Sequence, residues 1–189
     1  MVKYVDLCGK SGRGGGVLAK GRFFGKFEYT IDSKGRLAVP VTFRKKLGPD
    51  EDSFVFVPGR FQTIEVHPYQ EWNDYEDRVL RHQPEHTEEA QRFSILLYSQ
   101  AGEATLDVQG RILLPKHLRE WAGIDNEVII TGAGRFFLIW EPERYRRFVA
   151  DSMPRYQQDR DEATRQGWER RRQIGSSAGD DISCAGPGE

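Results

Sequence analysis

The sequence predicts a mainly β fold with short helices, α+β in class. Two copies of one unit combine as a pseudo-twofold barrel, and a helical hairpin is inserted between them. Three observations predict it. The segment IDSKGRLAVP at residues 31–40 returns as LDVQGRILLP at 106–115. The register then holds without a gap from Thr30 and Thr105 to Ile64 and Ile139. Between the copies the texture changes to charged residues with apolar ones at helical spacing. A repeat kept in register over this length is a duplicated supersecondary unit.

Each copy reads as strand, turn, strand, short helix, strand, turn, strand. In the first, Phe24–Ile31 is strand-like, Asp32–Gly35 a turn and Arg36–Val39 a second strand. The turn is structured by its own residues. Asp32 and Asp107 can accept backbone N–H groups two or three residues on and so close it. Gly35 and Gly110 supply the positive φ that such a turn requires. Pro40 opens a short helix, where its missing N–H costs nothing; the helix runs to Leu47 and Gly48 stops it. Ser53–Val57 and Phe61–Val66 form a hairpin around Pro58-Gly59-Arg60. The second copy repeats this with Asp107–Gly110, Pro115, Gly123 and Gly132–Gly134.

Between the copies, Pro68–Gln83 reads as a helix with Trp72, Tyr75, Val79 and Leu80 near i, i+3, i+7 spacing. Pro84 breaks it and begins a second helix to Ser99, with Phe93, Leu96, Leu97 and Tyr98 as its apolar face. Pro142 opens a last helix through Val149. The expected division is a flexible Gly- and Lys-rich extension (1–21), a first repeat (22–67), a helical hairpin linker (68–100), a second repeat with the start of a C-terminal helix (101–150), and a tail, partly helical then disordered (151–189). Neither repeat has enough apolar residues to bury a core alone, so one integrated barrel is expected and not two separable domains.

Composition narrows the function classes. The chain has 189 residues, 38% hydrophobic and 30% charged. No apolar run approaches the ~20 residues that span a bilayer, and no signal-peptide pattern is present. A soluble cytoplasmic protein with no membrane partner is expected. Cys8 and Cys184 stand alone, so neither a disulfide framework nor a zinc site is indicated. Net charge is −1, but it is unevenly placed. Residues 1–48 carry eleven Lys/Arg against three acids, while residues 65–104 carry nine acids against three Arg. Such polarity gives one face suited to phosphate and another that repels it.

Three catalytic or ligand-binding readings are excluded. Gly9-Lys10-Ser11 resembles the end of a P-loop, but Tyr4 stands where the loop needs glycine. Asp32 and Asp107, one from each copy, resemble an acid–base dyad, yet Lys34 and Gln109 occupy the positions where that dyad needs glycine. His82 and His86 are separated by Pro84 and share no regular helical face for a metal. The chain is expected to be no enzyme, with no metal and no cofactor.

The candidate site lies at the turns. Arg36 and Arg111 leave each turn at the head of the next strand. Two roles are open for them: an ion pair with the turn aspartate, or contact with phosphates and guanine edges, which their five donors suit. Lys34 sits at the most exposed point of its turn, as a solvated lysine or a phosphate contact; Gln109 is its uncharged counterpart. Arg44 and Lys45, with Lys46, make a positive helix terminus that could serve the helix dipole or phosphate. Arg119 is the twin of Arg44.

F-x-G at 23–25, D-S-K-G-R-L-x-V-P at 32–40 and F-R at 43–44 resemble the opening of the MraZ family. So do R-F at 92–93, Ala101, D-V-Q-G-R-I-L-L-P at 107–115 and L-R-E-x-A-G at 118–123. The resemblance covers roughly residues 23–150. It implies two AbrB-like swapped-hairpin units per chain, each half of an intertwined barrel. It also implies a ring-like homo-oligomer above dimer, and a nucleoid-associated transcriptional regulator that binds short direct repeats in promoter DNA. That regulator represses the division and cell-wall gene cluster, its own gene included. The family's DNA-binding arginine falls on Arg36 and Arg111. Other expectations stay open: an AbrB-like antitoxin that binds DNA and a toxin, or a ring scaffold that binds a protein partner and no DNA.

Overall fold

The structure is a computed structural model and describes residues 22–49, 51–82 and 87–177. The expected extension over 1–21 and the break at Pro84 lie outside those residues. The first repeat contributes β1 (Lys26–Thr30), β2 (Arg36–Ala38), α1 (Val41–Arg44), β3 (Ser53–Gly59) and β4 (Thr63–Pro68). The linker holds α2 (Tyr69–Arg78) and α3 (Glu88–Gln100). The second repeat contributes β5 (Gly102–Thr105), β6 (Arg111–Leu113), α4 (Lys116–Ala122), β7 (Glu127–Gly132) and β8 (Phe137–Trp140).

Six strands form one antiparallel sheet in the order β1-β7-β8-β4-β3-β5, and β2 pairs with β6 in a separate two-stranded ribbon. Exchanging each strand for its twin reverses the order and leaves the sheet unchanged. The register places the pseudo-twofold axis. Ile64 faces Ile139 across β4 and β8, and Leu37 faces Ile112 across β2 and β6. Each of these pairs joins positions that are equivalent in the two repeats. The first strand of each repeat pairs with the third strand of the other, β1 with β7 and β5 with β3. This exchange is the swapped-hairpin arrangement, and it makes neither repeat complete alone.

One core serves both repeats. Leu37, Val39 and Phe43 meet Ile112, Leu114 and Leu118 within it, together with Phe54, Ile64, Phe137 and Ile139. The F-x-G motif places Phe23 inside, 5.0 Å from Phe43 and 5.6 Å from Phe137 between ring centres. Such aromatic pairs add about 0.5–1.5 kcal/mol beyond area burial. On the other side of the sheet, Val55 and Val57 pack with Trp72 of α2 and Leu97 of α3 in a second cluster.

Several boundaries differ from the expectation. Pro40 is extended (φ −50°, ψ 135°), so α1 begins at Val41. It ends at Arg44 and not Leu47, because the N–H groups of Lys46 and Leu47 reach back only three residues, to Phe43 and Arg44. Gly48 is no helix cap; its N–H donates to the Glu51 carboxylate at 3.1 Å. The twin helix α4 does end as expected, at left-handed Gly123. The first hairpin turns at Arg60–Gln62, not at Pro58-Gly59-Arg60, since Pro58 and Gly59 pair with Ile64 and Thr63 inside the ladder. Phe61 is therefore in the turn and stacks on Trp140. On α3 only Leu97 is buried; Phe93, Leu96 and Tyr98 are exposed, and Ile95 is 68% exposed.

The chain divides after Glu141 into two compact units. The second holds α5 (Pro142–Ser152) and the 22-residue α6 (Tyr156–Ser177). Pro142 opens α5 as expected. Residues 157–169 of α6 are mostly polar and carry Glu162–Arg165 and Arg165–Glu169 pairs, spacing that supports a solvated helix.

Candidate nucleic-acid interface

Both turns close by the same hydrogen bonds. Asp32 Oδ1 accepts the N–H groups of Lys34 and Arg36, each at 2.9 Å. Asp107 Oδ1 accepts those of Gln109 and Arg111, also at 2.9 Å. The N–H groups of Gly35 and Gly110 donate to the carbonyls of Asp32 and Asp107 at 2.8 Å. Gly35 has φ 83° and Gly110 φ 74°, so the left-handed position that the sequence reserves for glycine is used in both turns.

The arginines meet the aspartates. Arg36 donates from Nε and Nη2 to Asp32 Oδ2, both at 2.7 Å. Arg111 donates from Nε at 2.8 Å and Nη2 at 2.7 Å to Asp107 Oδ2. The twins then diverge. Arg111 also sets Nη1 3.7 Å from Asp32 Oδ2, and so spans both aspartates. The Arg36 side chain is 33% exposed and that of Arg111 24%.

The carboxylates are tuned by these contacts. Asp32 is held below the usual aspartate range, first by the backbone N–H of Arg36 and then by its side chain. Asp107 is also held low, first by the side chain of Arg111 and then by its backbone. Both stay ionised at neutral pH, so each turn keeps a charged pair and the arginines stay fixed in direction.

The ribbon decides which way those arginines face. Leu37 and Ile112 point into the core, so alternation turns Arg36, Ala38, Arg111 and Leu113 outward. Arg36 lies opposite Leu113, and Arg111 opposite Ala38. Lys34 and Gln109 are exposed at the two turn tips. The structure thus brings Lys34, Arg36, Gln109 and Arg111 onto one two-stranded ribbon with its turns. Lys45 is exposed beyond α1, while Arg44 is half-buried against Gly110. Sequence reasoning passed over Ala38, Leu113 and the fully exposed Val108 on this face. Strand alternation could have found the first two, and the repeat register sets Val108 beside Ser33.

Fold and site together define a double swapped-hairpin, AbrB-like protein with an arginine heading each turn. The chain matches the family described as "MraZ protein, putative antitoxin-like" over residues 23–94 and 97–166. It is 38% identical over 136 residues to the transcriptional regulator MraZ of Heliobacterium modesticaldum, covering 72% of this chain and 92% of that protein. The protein of the same name in Natranaerobius thermophilus is 41% identical over 123 residues, covering 65% and 83%. The chain belongs to the MraZ family.

Proposed function

We propose that this protein is a sequence-specific DNA-binding transcriptional regulator and that the β2–β6 ribbon with its turns meets the DNA. The observation that carries this reading is the outward pair Arg36 and Arg111 on a two-stranded ribbon, flanked by exposed Lys34 and Gln109. The major groove is about 12 Å wide and admits such a ribbon. A guanidinium pre-set by an aspartate enters with little orientation left to fix, and its unused Nη1 of Arg36 suits a guanine or phosphate acceptor. Lys34 and Lys45 supply phosphate contacts, which position the protein without reading sequence.

The relatives' name supports the regulatory role. The regulated site we propose is the division and cell-wall gene cluster, including the protein's own gene, with repression as the outcome. One chain offers two arginine-headed turns, so a ring-like homo-oligomer above dimer would present them repeatedly to short direct repeats, and avidity would raise affinity. An antitoxin-like role is the second reading. It is favoured by the exposed Phe93, Ile95 and Leu96 of α3, which offer apolar surface to a protein partner.

Electrophoretic shifts on the DNA upstream of the protein's own gene test the first reading. Arg36→Ala is expected to weaken binding about tenfold or more, and Arg111→Ala less. If Arg36 only holds its turn, the melting temperature and DNA binding fall together and Asp32→Ala copies the effect. Native affinity for Arg36→Ala across a range of salt would remove the first turn from the DNA face.

A further inference from the structure

Each turn glycine is covered by an arginine from the other repeat. At Gly110 a Cβ atom would stand 2.6 Å from Cζ and Nη1 of Arg44 and 2.8 Å from its Nε. At Gly35 a Cβ atom would stand 3.2 Å from Nη2 of Arg119 and 3.5 Å from its Cζ. Both glycines are buried although the turn tips beside them are exposed. The Arg44 guanidinium therefore lies where any larger residue at 110 would place its side chain, and the Arg119 guanidinium lies in tight contact with that place at 35.

The backbone completes the link. Arg44 Nε donates to the Val39 carbonyl at 3.2 Å, and the Val39 N–H donates to the Gly110 carbonyl at 3.0 Å. A short run of contacts thus joins α1, the end of β2 and the second turn. The twin bond, from Leu114 N–H to the Gly35 carbonyl, is also 3.0 Å. Arg119 stands farther from its glycine than Arg44 does, and its Nε is buried and makes no hydrogen bond.

We infer that Arg44 and Arg119 are positioning residues that act across the repeats, Arg44 setting the second turn and Arg119 the first. This rests on the reading that the turns meet DNA. It moves Arg44 out of the set of phosphate contacts. A guanidinium laid on a glycine is fixed by its planar shape as much as by its charge, and lysine cannot reproduce that shape. A phosphate contact, by contrast, accepts lysine as a point charge. The reciprocal arrangement also gives each turn a part from both repeats, so neither turn can change its conformation independently of the opposite helix.

The experiment uses the full chain and two readouts. Hydrogen exchange by mass spectrometry follows peptides over residues 30–40 and 105–115. Binding to the duplex upstream of the protein's own gene is measured over a salt series. For Arg44→Ala and Arg44→Lys alike, exchange is expected to rise about tenfold in 105–115 and, within 30–40, at Val39 alone, whose N–H bonds the Gly110 carbonyl. Arg119→Ala is expected to do the reverse. DNA affinity should fall several-fold for both Arg44 variants with the salt slope unchanged. Unchanged exchange in 105–115, an equal rise in both segments, or full DNA affinity in Arg44→Lys would each overturn the inference. Should Arg44→Ala fail to fold, Arg44→Lys decides alone. If Lys34→Gln and Arg36→Ala both bind the duplex like the native chain, the DNA reading falls. The exchange data then still judge the positioning, crossed in its favour and uncrossed against it.

Discussion

The first and second turns are held by the same set of bonds, yet they carry different chemistry. The Asx bonds are 2.9 Å in both and the glycine N–H bonds 2.8 Å, while the bond from the aspartate N–H to the arginine carbonyl is 3.0 Å in the first turn and 2.8 Å in the second. The tips are Ser33-Lys34 in one and Val108-Gln109 in the other. The surrounding grip differs too. Arg111 spans both aspartates, and Arg44 lies closer to Gly110 than Arg119 does to Gly35. The first turn thus has a charged tip and is held less closely, the second an uncharged tip and is held more closely. Closing the turn and pairing the arginine together favour Asp, whose two oxygens serve the Asx bond and the guanidinium, and the positive φ favours Gly. The tip residues point to water and have no such constraint. Duplication kept the frame and left the tips to diverge.

The strongest way to break this comparison is to separate the repeats. In a fragment of residues 1–83, β1 loses its sheet neighbour β7, and β4 loses β8. What remains in the sheet is the β3–β4 hairpin, and a lone hairpin is marginal in water. We expect the fragment to unfold, aggregate or pair with a second copy of itself across the vacant positions. A soluble monomer with a cooperative melt would show that the repeats are independent folds.

Next in size are the glycines. Gly35→Ala should cost about 1–2 kcal/mol for a left-handed alanine. Gly110→Ala adds a Cβ at 2.6 Å from the Arg44 guanidinium, and moving that guanidinium off its Val39 bond costs a further ~1 kcal/mol, the low end of overpacking. Urea denaturation of the two variants measures the difference. Equal losses would mean that Arg44 moves aside freely and that the second turn is held no more tightly than the first.

These same residues show what the sequence makes legible. The repeat register gives the strands, both turns and the two arginines, because each rests on a local rule that a short window contains. The axis through Leu37–Ile112 and Ile64–Ile139 follows from the swap, which no window contains. The roles of Arg44 and Arg119 were hidden for the same reason. Their helix position suggests a dipole or phosphate partner, whereas their contacts are glycines of the opposite repeat, 66 and 84 positions away. The turn at Arg60–Gln62 was missed because Pro58 and Gly59 signal a turn locally, and the ladder to β4 overrides that signal.

Acid separates the turns more gently. Both aspartates have lowered pKa values. Their ion pairs therefore stabilise the fold fully above the ordinary aspartate pKa of about 4, and that stability is lost as pH falls through the lowered values. Asp32 owes its shift first to the Arg36 backbone N–H, which survives Arg36→Ala. Asp107 owes its shift first to the Arg111 side chain, which Arg111→Ala removes. The acid unfolding midpoint should thus move to higher pH in Arg111→Ala and less in Arg36→Ala. Circular dichroism across pH 2–5, on the order of those carboxylate values, reads this out; equal movement would make the two pairs equivalent.

The finest distinction is a single charge at each tip. Lys34 and Gln109 occupy equivalent positions, exposed, with their N–H groups bonded to the turn aspartate and their side chains outside that bond. Exchanging the two residues therefore leaves the frame alone. If the first turn approaches a phosphate, Lys34→Gln removes one counterion-releasing contact, and the slope of log affinity against log salt should fall by about one unit. The loss should be similar on operator and unrelated duplex, since phosphate contacts carry no sequence information. Gln109→Lys supplies the missing charge to the second turn. If that turn sits equally close to the backbone, the slope rises by about one unit; if Arg44 and the two aspartates hold it away from the duplex, nothing changes. The double variant then decides between proximity and charge. A native slope in the double variant means that the two turns are placed alike and only their tips differ. A slope that stays low means that the first turn alone reaches the phosphates, and that the difference in grip is what keeps the second turn back.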